Sequence, residues 1–573
     1  MNEQLTVINE RVDDIPLLVA HLEHMGVPAL LDKHFPTHGN WQGLSLGMAA
    51  TLWLSHILSE ADHRLNHVQP WAEKRLTTLQ GCTAQPVRAL DFSDDRLGDV
   101  AHALGSDQQW AAFEGELNQH LLRVYDLGPE HVRVDGTTAS GYWQVTPDGL
   151  FQLGHSKDHR PDLPQVKVML STLDPLGMPL ATDVVAGHRA DDPLYIPAIS
   201  RVRESLRRRG LLYVGDCKMA ALETRAFVHA GQDYYLCPLA QSQLPPEELQ
   251  AYLTPVWTGE QALTGVYRED KAGKRQCIAE GYERQETLTA VVTGQTITWT
   301  ERRLVMRSLA RARAGAAALR ERLAKAQADI VALNARRRGK KRFPAVAPLR
   351  QAAEAIVAKY GLQGLLALSY QEVVQERPVR RYRDRPASVR VERSVQVSVV
   401  VDEAALSAAV RRLGWRVYAS DAPVARLTLD QAVSAYRHEY IIDRGMSRLK
   451  GHPLSLTPMY LQREDHAVGL IRLLSIGLRV LTLLEFVVRQ RLAAEGGKLT
   501  GLYAGNPKRA TAQPTAELLL EAFQELTLTV IQESGQTRRY LTPLSGLQKR
   551  ILALLDFPPD VYTRLGPVFA QSP

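Results

Sequence analysis

The chain has few cysteines, and none is placed to bind zinc or to build a disulfide framework. The four cysteines among its 573 residues are Cys82, Cys217, Cys237 and Cys277. They lack the close pairs of metal-binding motifs and the regular spacing of disulfide-rich secreted domains. The first residues from Met1 also lack the basic and then apolar run of a secretory signal. We therefore expect a cytoplasmic protein.

The sequence also lacks an uninterrupted apolar run long enough to span a bilayer. Its most apolar stretch, residues 469–488, contains Arg472, Arg479 and Glu485. Charged side chains inside a membrane span are costly. The stretch therefore predicts a buried helix, and we expect no membrane partner.

The chain has no net positive charge outside one segment. The net charge is +7, yet residues 301–342 contain fourteen Lys and Arg against three Asp and Glu, which gives +11 there and −4 elsewhere. This segment ends in a run of cations: Arg336, Arg337, Arg338, Lys340, Lys341 and Arg342. Such a run is often a solvated turn, but on a mildly acidic protein it predicts a contact with a polyanion.

The pattern of apolar residues divides the chain into regions. We predict helical regions at 1–128 and 493–573, a core at 129–244 and 426–492, and a mixed α+β insertion at 245–425. In the core, three strand-like runs precede a helix, a strand, a helix and a strand: 132–139, 166–173, 179–185, 192–209, 211–216, 220–230 and 233–239. This order is typical of an α/β ribonuclease-H-like sheet.

The insertion is too long for a loop. Residues 287–299 read as a strand. Apolar residues then repeat along 302–334 as in an antiparallel helical hairpin whose second helix covers 352–360.

Two acids stand at special places in the core. Asp135 lies inside a strand, which is a poor place for an uncompensated carboxylate. Asp216 ends a nearly all-apolar strand, where an acid can also serve as a helix cap or turn former. In the predicted strand order the two acids stand on adjacent strands.

A late helix is predicted over 427–449, since this stretch has no proline and one glycine. Tyr436, Glu439, Asp443 and Lys450 follow at intervals of three, four and seven, which places them on one stripe. A solvated helix face can carry the same charges without any function. Beside Asp135 and Asp216, however, clustered carboxylates favour a divalent cation among them.

Together these residues resemble the DDE transposases of bacterial insertion sequences. Asp135 in Val-Asp-Gly-Thr-Thr, Asp216 in Tyr-Val-Gly-Asp-Cys-Lys-Met and the late helix resemble the cut-and-paste group with the signature Tyr-(2)-Arg-(3)-Glu-(6)-Lys. The similarity covers about Val132 to Arg491. It implies two Mg²⁺ ions, with Mn²⁺ as a substitute, attack by water at the transposon end, and attack of the freed 3′-hydroxyl on target DNA.

Two positions depart from that signature. Tyr436 and Lys450 match its first and last residues, but Glu439 stands where the signature has Arg, and Asp443 stands where it has Glu. We expect Asp135, Asp216 and Asp443 to be the catalytic metal ligands. Recruitment of Glu439 and a weakened copy are the alternatives, because Asp is one methylene shorter than Glu.

The resemblance also implies residues that bind double-stranded DNA. Tyr436 and Lys450 would contact phosphate, Arg437 or Arg444 would replace the missing signature Arg, and Lys218 would lie near Asp216. The cations from Arg336 to Lys341 would follow the DNA backbone, and Trp299 is the candidate for stacking on a flipped base. The helical N-terminal region would serve end recognition or dimerisation.

The sequence therefore predicts a transposase that acts on terminal repeats and target DNA as a homodimer in the synaptic complex. The alternative is a catalytically weakened or inactive DNA-binding protein derived from such an enzyme. A ribonuclease-H-like nuclease without strand transfer is a third possibility, although such an enzyme does not need the basic insertion.

Overall fold

The computed structural model describes residues 5–269, 273–335, 343–380, 386–461, 463–533 and 535–567. Its N-terminal region consists of one strand followed by helices: β1 (Thr6–Arg11), α1 (Ile15–His24), α2 (Val27–His34), α3 (Leu46–Glu60), α4 (Val68–Glu73), α5 (Leu76–Thr83), α6 (Asp94–Leu104) and α7 (Asp107–Val124). Ser45 caps α3 by accepting a hydrogen bond from the N–H of Met48 at 3.2 Å. Because α3 is apolar on nearly all sides, it is buried along most of its length.

The next part forms the alternation that the sequence predicts. Its elements are β2 (His131–Ser140), β3 (Gln165–Asp174), β4 (Met178–Ala186), α8 (Tyr195–Leu206), β5 (Leu212–Gly215), α9 (Leu222–Ala230) and β6 (Tyr234–Pro238). β2 pairs with β3 in the antiparallel sense and with β5 in the parallel sense. The prediction that the strands of Asp135 and Asp216 are adjacent is therefore confirmed. The assignment to the ribonuclease-H-like class stays a prediction.

The predicted insertion contributes strands to this same sheet. Its elements are α10 (Pro246–Thr258), β7 (Thr264–Glu269), β8 (Arg275–Val292), β9 (Gln295–Ser308), α11 (Leu309–Ala332), α12 (Val346–Tyr360), β10 (Leu366–Val379), β11 (Ser388–Val401), α13 (Glu403–Arg411) and β12 (Trp415–Ser420). β12 pairs with β6 and with β9. Within the described ranges, the sheet has nine strands in the order β4-β3-β2-β5-β6-β12-β9-β8-β7.

The helical hairpin is present, but its first helix begins later than predicted. Residues 302–308 belong to β9, where Leu304 and Val305 are buried. The helix follows at Leu309, and α11 and α12 pack through apolar residues that include Leu319, Leu323 and Ala353. β10 and β11 form a separate two-stranded ribbon against this hairpin.

The predicted single helix over 427–449 is two helices, α14 (Leu429–Arg437) and α15 (Tyr440–Lys450). At the break, the N–H of His438 donates to the carbonyl of Ala435 at 3.2 Å and the N–H of Glu439 to that of Tyr436 at 3.2 Å. Bonds of this i→i+3 kind end a helix without a proline or glycine, so the sequence pattern gave no sign of the break.

The 31-residue helix α16 (Glu464–Ala494) forms the centre of the helical core. By length and composition it is able to cross a membrane, yet 94% of its most apolar window is buried inside the protein. Its charges are paired: Arg479 donates to Glu114 at 2.9 Å, and Glu485 binds Arg448. The predicted buried helix is therefore confirmed.

The two terminal regions contain the predicted helices, and they are also joined by strands that the prediction did not include. The C-terminal elements are α17 (Ala516–Glu521), β13 (Thr527–Glu533), β14 (Gln536–Leu541), α18 (Gly546–Leu555) and α19 (Asp560–Thr563). β1 pairs with β13, which pairs with β14. β1 and β13 stabilise each other from opposite ends of the chain, and local periodicity does not show such a partner.

Candidate active site

Asp135 and Asp216 lie side by side on neighbouring parallel strands. Asp135 is in the middle of β2, and Asp216 directly follows β5. Because Val134 pairs with Gly215, the two acids occupy equivalent positions one residue further along. Adjacent strands are about 4.8 Å apart, and both acids line one small cavity.

Asp216 is held by two hydrogen bonds. Its Oδ1 accepts from the hydroxyl of Tyr195 at 2.7 Å and from the backbone N–H of Lys218 at 2.8 Å. Tyr195 is buried at the start of α8. The carboxylate therefore has a fixed orientation, with its other oxygen left for a further contact.

Asp135 has a lysine beside it. Its Oδ1 accepts from the backbone N–H of Gly136 at 2.7 Å and lies 3.5 Å from the Lys157 ammonium. Lys157 also donates to the carbonyl of Gly136 and lies 4.0 Å from Asp191. It thus places a positive charge beside the cavity.

The break between α14 and α15 brings a third acid to this cavity. Glu439 lies in the break, and it lines the cavity with Tyr436, Asp135 and Asp216. Asp443 lies one turn along α15, is exposed, and lines a neighbouring cavity. Tyr436, Glu439 and Asp443 thus line the neighbouring cavity together, but Glu439 and not Asp443 also lines the cavity of the first two acids.

The charges of these acids act on one another. Burial raises the pKa of Asp135 to about 6, the Lys157 ammonium opposes this shift, and the carboxylates of Asp216 and Asp443 increase it. Burial also raises the pKa of Glu439, against a hydrogen bond with Tyr436 and with reinforcement from Asp443 and Asp216. The cavity thus concentrates negative charge that the protein neutralises only in part.

The donor set suits a hard divalent cation, although three of its members do not converge. In the residues that the structure describes, no group of three His, Cys, Asp or Glu side chains is placed to hold a metal ion. Mg²⁺ usually keeps several waters and is bound by one or two carboxylates together with substrate phosphates. Asp135 and Asp216, which share a cavity and repel each other, fit this mode of binding.

A second cavity of about 460 Å³ shares a wall with the first. It is lined by cations, aromatic rings and two acids, among them Arg311, Arg416, Arg437, Trp415, Tyr418, Tyr436, Tyr440, Glu439 and Asp443. Arg416 donates to the Tyr436 hydroxyl at 3.0 Å, and Arg437 donates to the carbonyl of Ile278 at 3.1 Å. Guanidinium groups therefore stand next to the carboxylates.

The predicted DNA-binding residues of the core lie in different surroundings. The Lys218 side chain is 51% exposed and 3.7 Å from Asp192. Lys450 binds Asp158 at 2.5 Å. Arg444 pairs with Glu485 of α16 and lines a separate cavity. Arg437 thus lines the cationic cavity, Lys218 contacts Asp216 through its backbone N–H, and Arg444 is paired with a residue of the helical core.

The prediction that Trp299 stacks on a flipped base is contradicted by its burial. Its side chain is 3% exposed and its indole N–H donates to the Tyr235 hydroxyl at 2.8 Å. It lies on β9 and packs with Ala226 and Val292. Trp299 is therefore a packing residue.

The predicted phosphate-contacting cations between the two helices of the hairpin, Arg336, Arg337, Arg338, Lys340 and Lys341, lie outside the described residues. Their assignment stays a prediction.

Sequence reasoning missed Lys157, Tyr195 and Arg416. Lys157 belongs to a loop between β2 and β3, Tyr195 begins a helix, and Arg416 is on β12 of the insertion. No spacing relates them to Asp135 or Asp216, because the sheet and its packing bring them together. An unpaired acid inside a strand was the one sequence signal that a cation would lie nearby.

Comparisons with known proteins give a low similarity in structure. No family model and no curated protein matches the chain. Among solved structures, the chain is similar to piggyBac transposase in its synaptic complex with hairpin DNA, with a TM-score of 0.33 and 8% identity over 89% of this chain and 79% of that chain. This similarity to a transposase is too low to assign either fold or activity.

Proposed function

We propose that the protein is a DNA transposase that cleaves phosphodiester bonds at the ends of an insertion sequence and joins the freed 3′-hydroxyl to target DNA. The observation that carries the proposal is a cavity lined by Asp135, Asp216 and Glu439 that adjoins a second cavity lined by arginines. A phosphodiester brings negative charge, so a site for it needs both acids that bind cations and direct positive contacts. This chain has both within two adjoining cavities.

Each residue has a role that follows from its contacts. Tyr195 and the Lys218 N–H orient Asp216. Arg416, through Tyr436, places a guanidinium next to Glu439, where it can bind a backbone phosphate. Arg437 lines the same cavity and can hold a neighbouring phosphate.

Asp135 and Asp216 would hold Mg²⁺, with Glu439 as the third carboxylate and Asp443 as the alternative. Bound Mg²⁺ supplies Lewis-acid stabilisation of phosphate oxygens and lowers the pKa of water. Raised pKa values at Asp135 and Glu439 mean that both side chains gain from a nearby cation.

A DNA-binding protein without cleavage activity is the second candidate. It is favoured by the failure of three ligating side chains to converge within the described residues. Such a protein would bind DNA at the cationic cavity but would not catalyse phosphoryl transfer.

The test is nicking of supercoiled plasmid DNA by the full chain with Mn²⁺. We expect wild type to nick and Asp216→Asn to lose nicking by at least about 10³-fold while it binds DNA equally well, because the amide keeps the shape but not the charge. Asp192→Asn, an exposed acid nearby, is the matched control and should nick normally. Equal inactivity of wild type and Asp216→Asn would establish the second candidate instead.

A further inference from the structure

The ribbon of β10 and β11 is packed along only half of its length. It contains fourteen cross-strand pairs. Near the helical hairpin, Val395 and Val397 are buried against α11 and α12. Beyond that point, among the described residues of both strands, no side chain is buried. Seven pairs, from Val373 opposite Ser394 to Val379 opposite Ser388, thus extend roughly 23 Å past the packed half. We call these seven pairs the distal ribbon.

The two faces of the distal ribbon differ in chemistry. Side chains alternate along a strand, so the face that continues from Val395 and Val397 carries Val374, Val389 and Val391, with exposures of 56%, 60% and 51%. The same face also carries Glu376 and Arg393. The opposite face is more polar, with Gln375, Arg377, Ser388, Arg390, Glu392 and Ser394 besides Val373 and Val379.

On the polar face, Arg377 stands directly opposite Arg390. Like charges in directly opposed positions destabilise a strand pair. Arg390 has one acidic neighbour, Glu392, at 3.9 Å, which is a weak contact for a side chain that is 74% exposed. An anion between the two guanidinium groups would convert this repulsion into attraction.

The shape and the side chains fit one kind of partner. A two-stranded ribbon alone is marginal in water, which favours a bound state for the distal ribbon. The major groove of DNA is about 12 Å wide and admits such a ribbon, and Arg and Gln are the side chains that contact its guanines and adenines most specifically. Val379, which lies on the same face as Arg377 and is 44% exposed, suits the methyl group of thymine.

We propose that the distal ribbon enters the major groove of double-stranded DNA, with Arg377 and Arg390 on phosphates or base edges. The proposal rests on the proposed function only in the choice of DNA as partner. A protein can bind DNA through the distal ribbon without cleaving it, and it can cleave DNA without using the distal ribbon.

The test is the salt dependence of binding of the full chain to a fluorescein-labelled 40-base-pair duplex of mixed sequence. Each phosphate contact contributes about 0.9 to the slope of log affinity against log salt. We expect the double variant Arg377→Gln/Arg390→Gln to lower the slope by about 2 and the affinity by at least tenfold. The matched control is Arg538→Gln/Arg539→Gln, which removes two exposed arginines from β14 and should change neither value.

Unchanged slope and affinity in the double variant would overturn the proposal. So would a loss of self-association in Val374→Ser/Val391→Ser, seen by sedimentation, together with normal DNA binding, because the occupant would then be a second copy of the chain. Plasmid nicking separates the two proposals. If wild type nicks plasmid and the double arginine variant binds DNA normally, only the ribbon proposal is rejected. If the double variant weakens DNA binding but wild type does not nick, only the proposed cleavage activity is rejected.

Discussion

Two acids on the same sheet, Glu301 on β9 and Asp135 on β2, are placed among opposite kinds of neighbours. Glu301 is fully buried and forms ion pairs with Arg225 and with Arg303, the latter at 2.8 Å. The hydroxyl of Tyr235 also donates to it. Asp135 has one lysine at 3.5 Å and shares its cavity with two further acids.

The charged carboxylate of Glu301 therefore stabilises the fold, whereas the charged carboxylate of Asp135 does not. Glu301 has more positive than negative neighbours, so its charge is satisfied within the protein. Asp135 has more negative neighbours, and its raised pKa reflects burial that one lysine does not offset. A site with unmatched charge is where a ligand of the opposite sign gains most.

The largest expected effect is on stability, at Glu301. Glu301→Gln leaves Arg225 and Arg303 buried without their counter-charge, which costs about 3–5 kcal/mol for a buried pair. We expect this loss in the free energy of unfolding from urea denaturation at unchanged m-value. Glu321→Gln, which breaks an exposed pair with Lys325, should cost less than about 1 kcal/mol. Similar losses in both variants would show that Glu301 is not special.

The second prediction concerns the third acid of the cavity. We expect Glu439→Gln to lower the rate of Mn²⁺-dependent nicking by about 10²-fold, since it removes a charge at the cavity, and Asp443→Asn to lower it by less than tenfold. The reverse order would restore Asp443 as the ligand, as the sequence predicted, and would mean that α15 moves when DNA binds.

The third prediction uses pH to contrast the two acids. The pKa of Asp135 is about 6 in the folded protein against 3.8 for the free side chain. The folded state therefore binds the proton more tightly, and ionisation of Asp135 lowers stability as pH rises from about 4 to above 6. Without metal, Asp135→Asn should be more stable than wild type at pH 8, by roughly 2 kcal/mol, and equal to it near pH 4. A variant that is less stable at pH 8 would place Asp135 in the same class as Glu301.

The sequence predicted the local parts of this arrangement better than the distant ones. The strands of Asp135 and Asp216 followed from short apolar runs, and their adjacency followed from the strand order. The sequence did not show that Glu439, and not Asp443, lines the cavity of these two acids. That placement depends on a helix break made by i→i+3 bonds at His438 and Glu439.

Long-range pairing was equally invisible in the sequence. β12 joins the core sheet through Tyr418 opposite Pro238, so a segment that reads as a separate insertion extends the sheet of the site. Trp299 next to a basic stretch resembled an exposed aromatic residue, yet its partner Tyr235 lies on another strand and encloses it. Only the assembled sheet shows which side chains remain open to a ligand.

The smallest expected effect concerns Lys157, which among the described residues is the positive charge paired with Asp135. Lys157 and a divalent cation compete for the same carboxylate, so Lys157→Met should raise the affinity of the DNA-free protein for Mn²⁺ by about tenfold, or about 1.4 kcal/mol. Isothermal titration with Mn²⁺ measures this directly and needs no activity. Lys33→Met, which removes a lysine that pairs with Glu116 at 2.6 Å in a different cavity, is the control and should leave the affinity unchanged. A lower affinity in Lys157→Met would mean that the lysine preorganises Asp135 for the metal, so that even its one positive neighbour serves the ligand and not the fold.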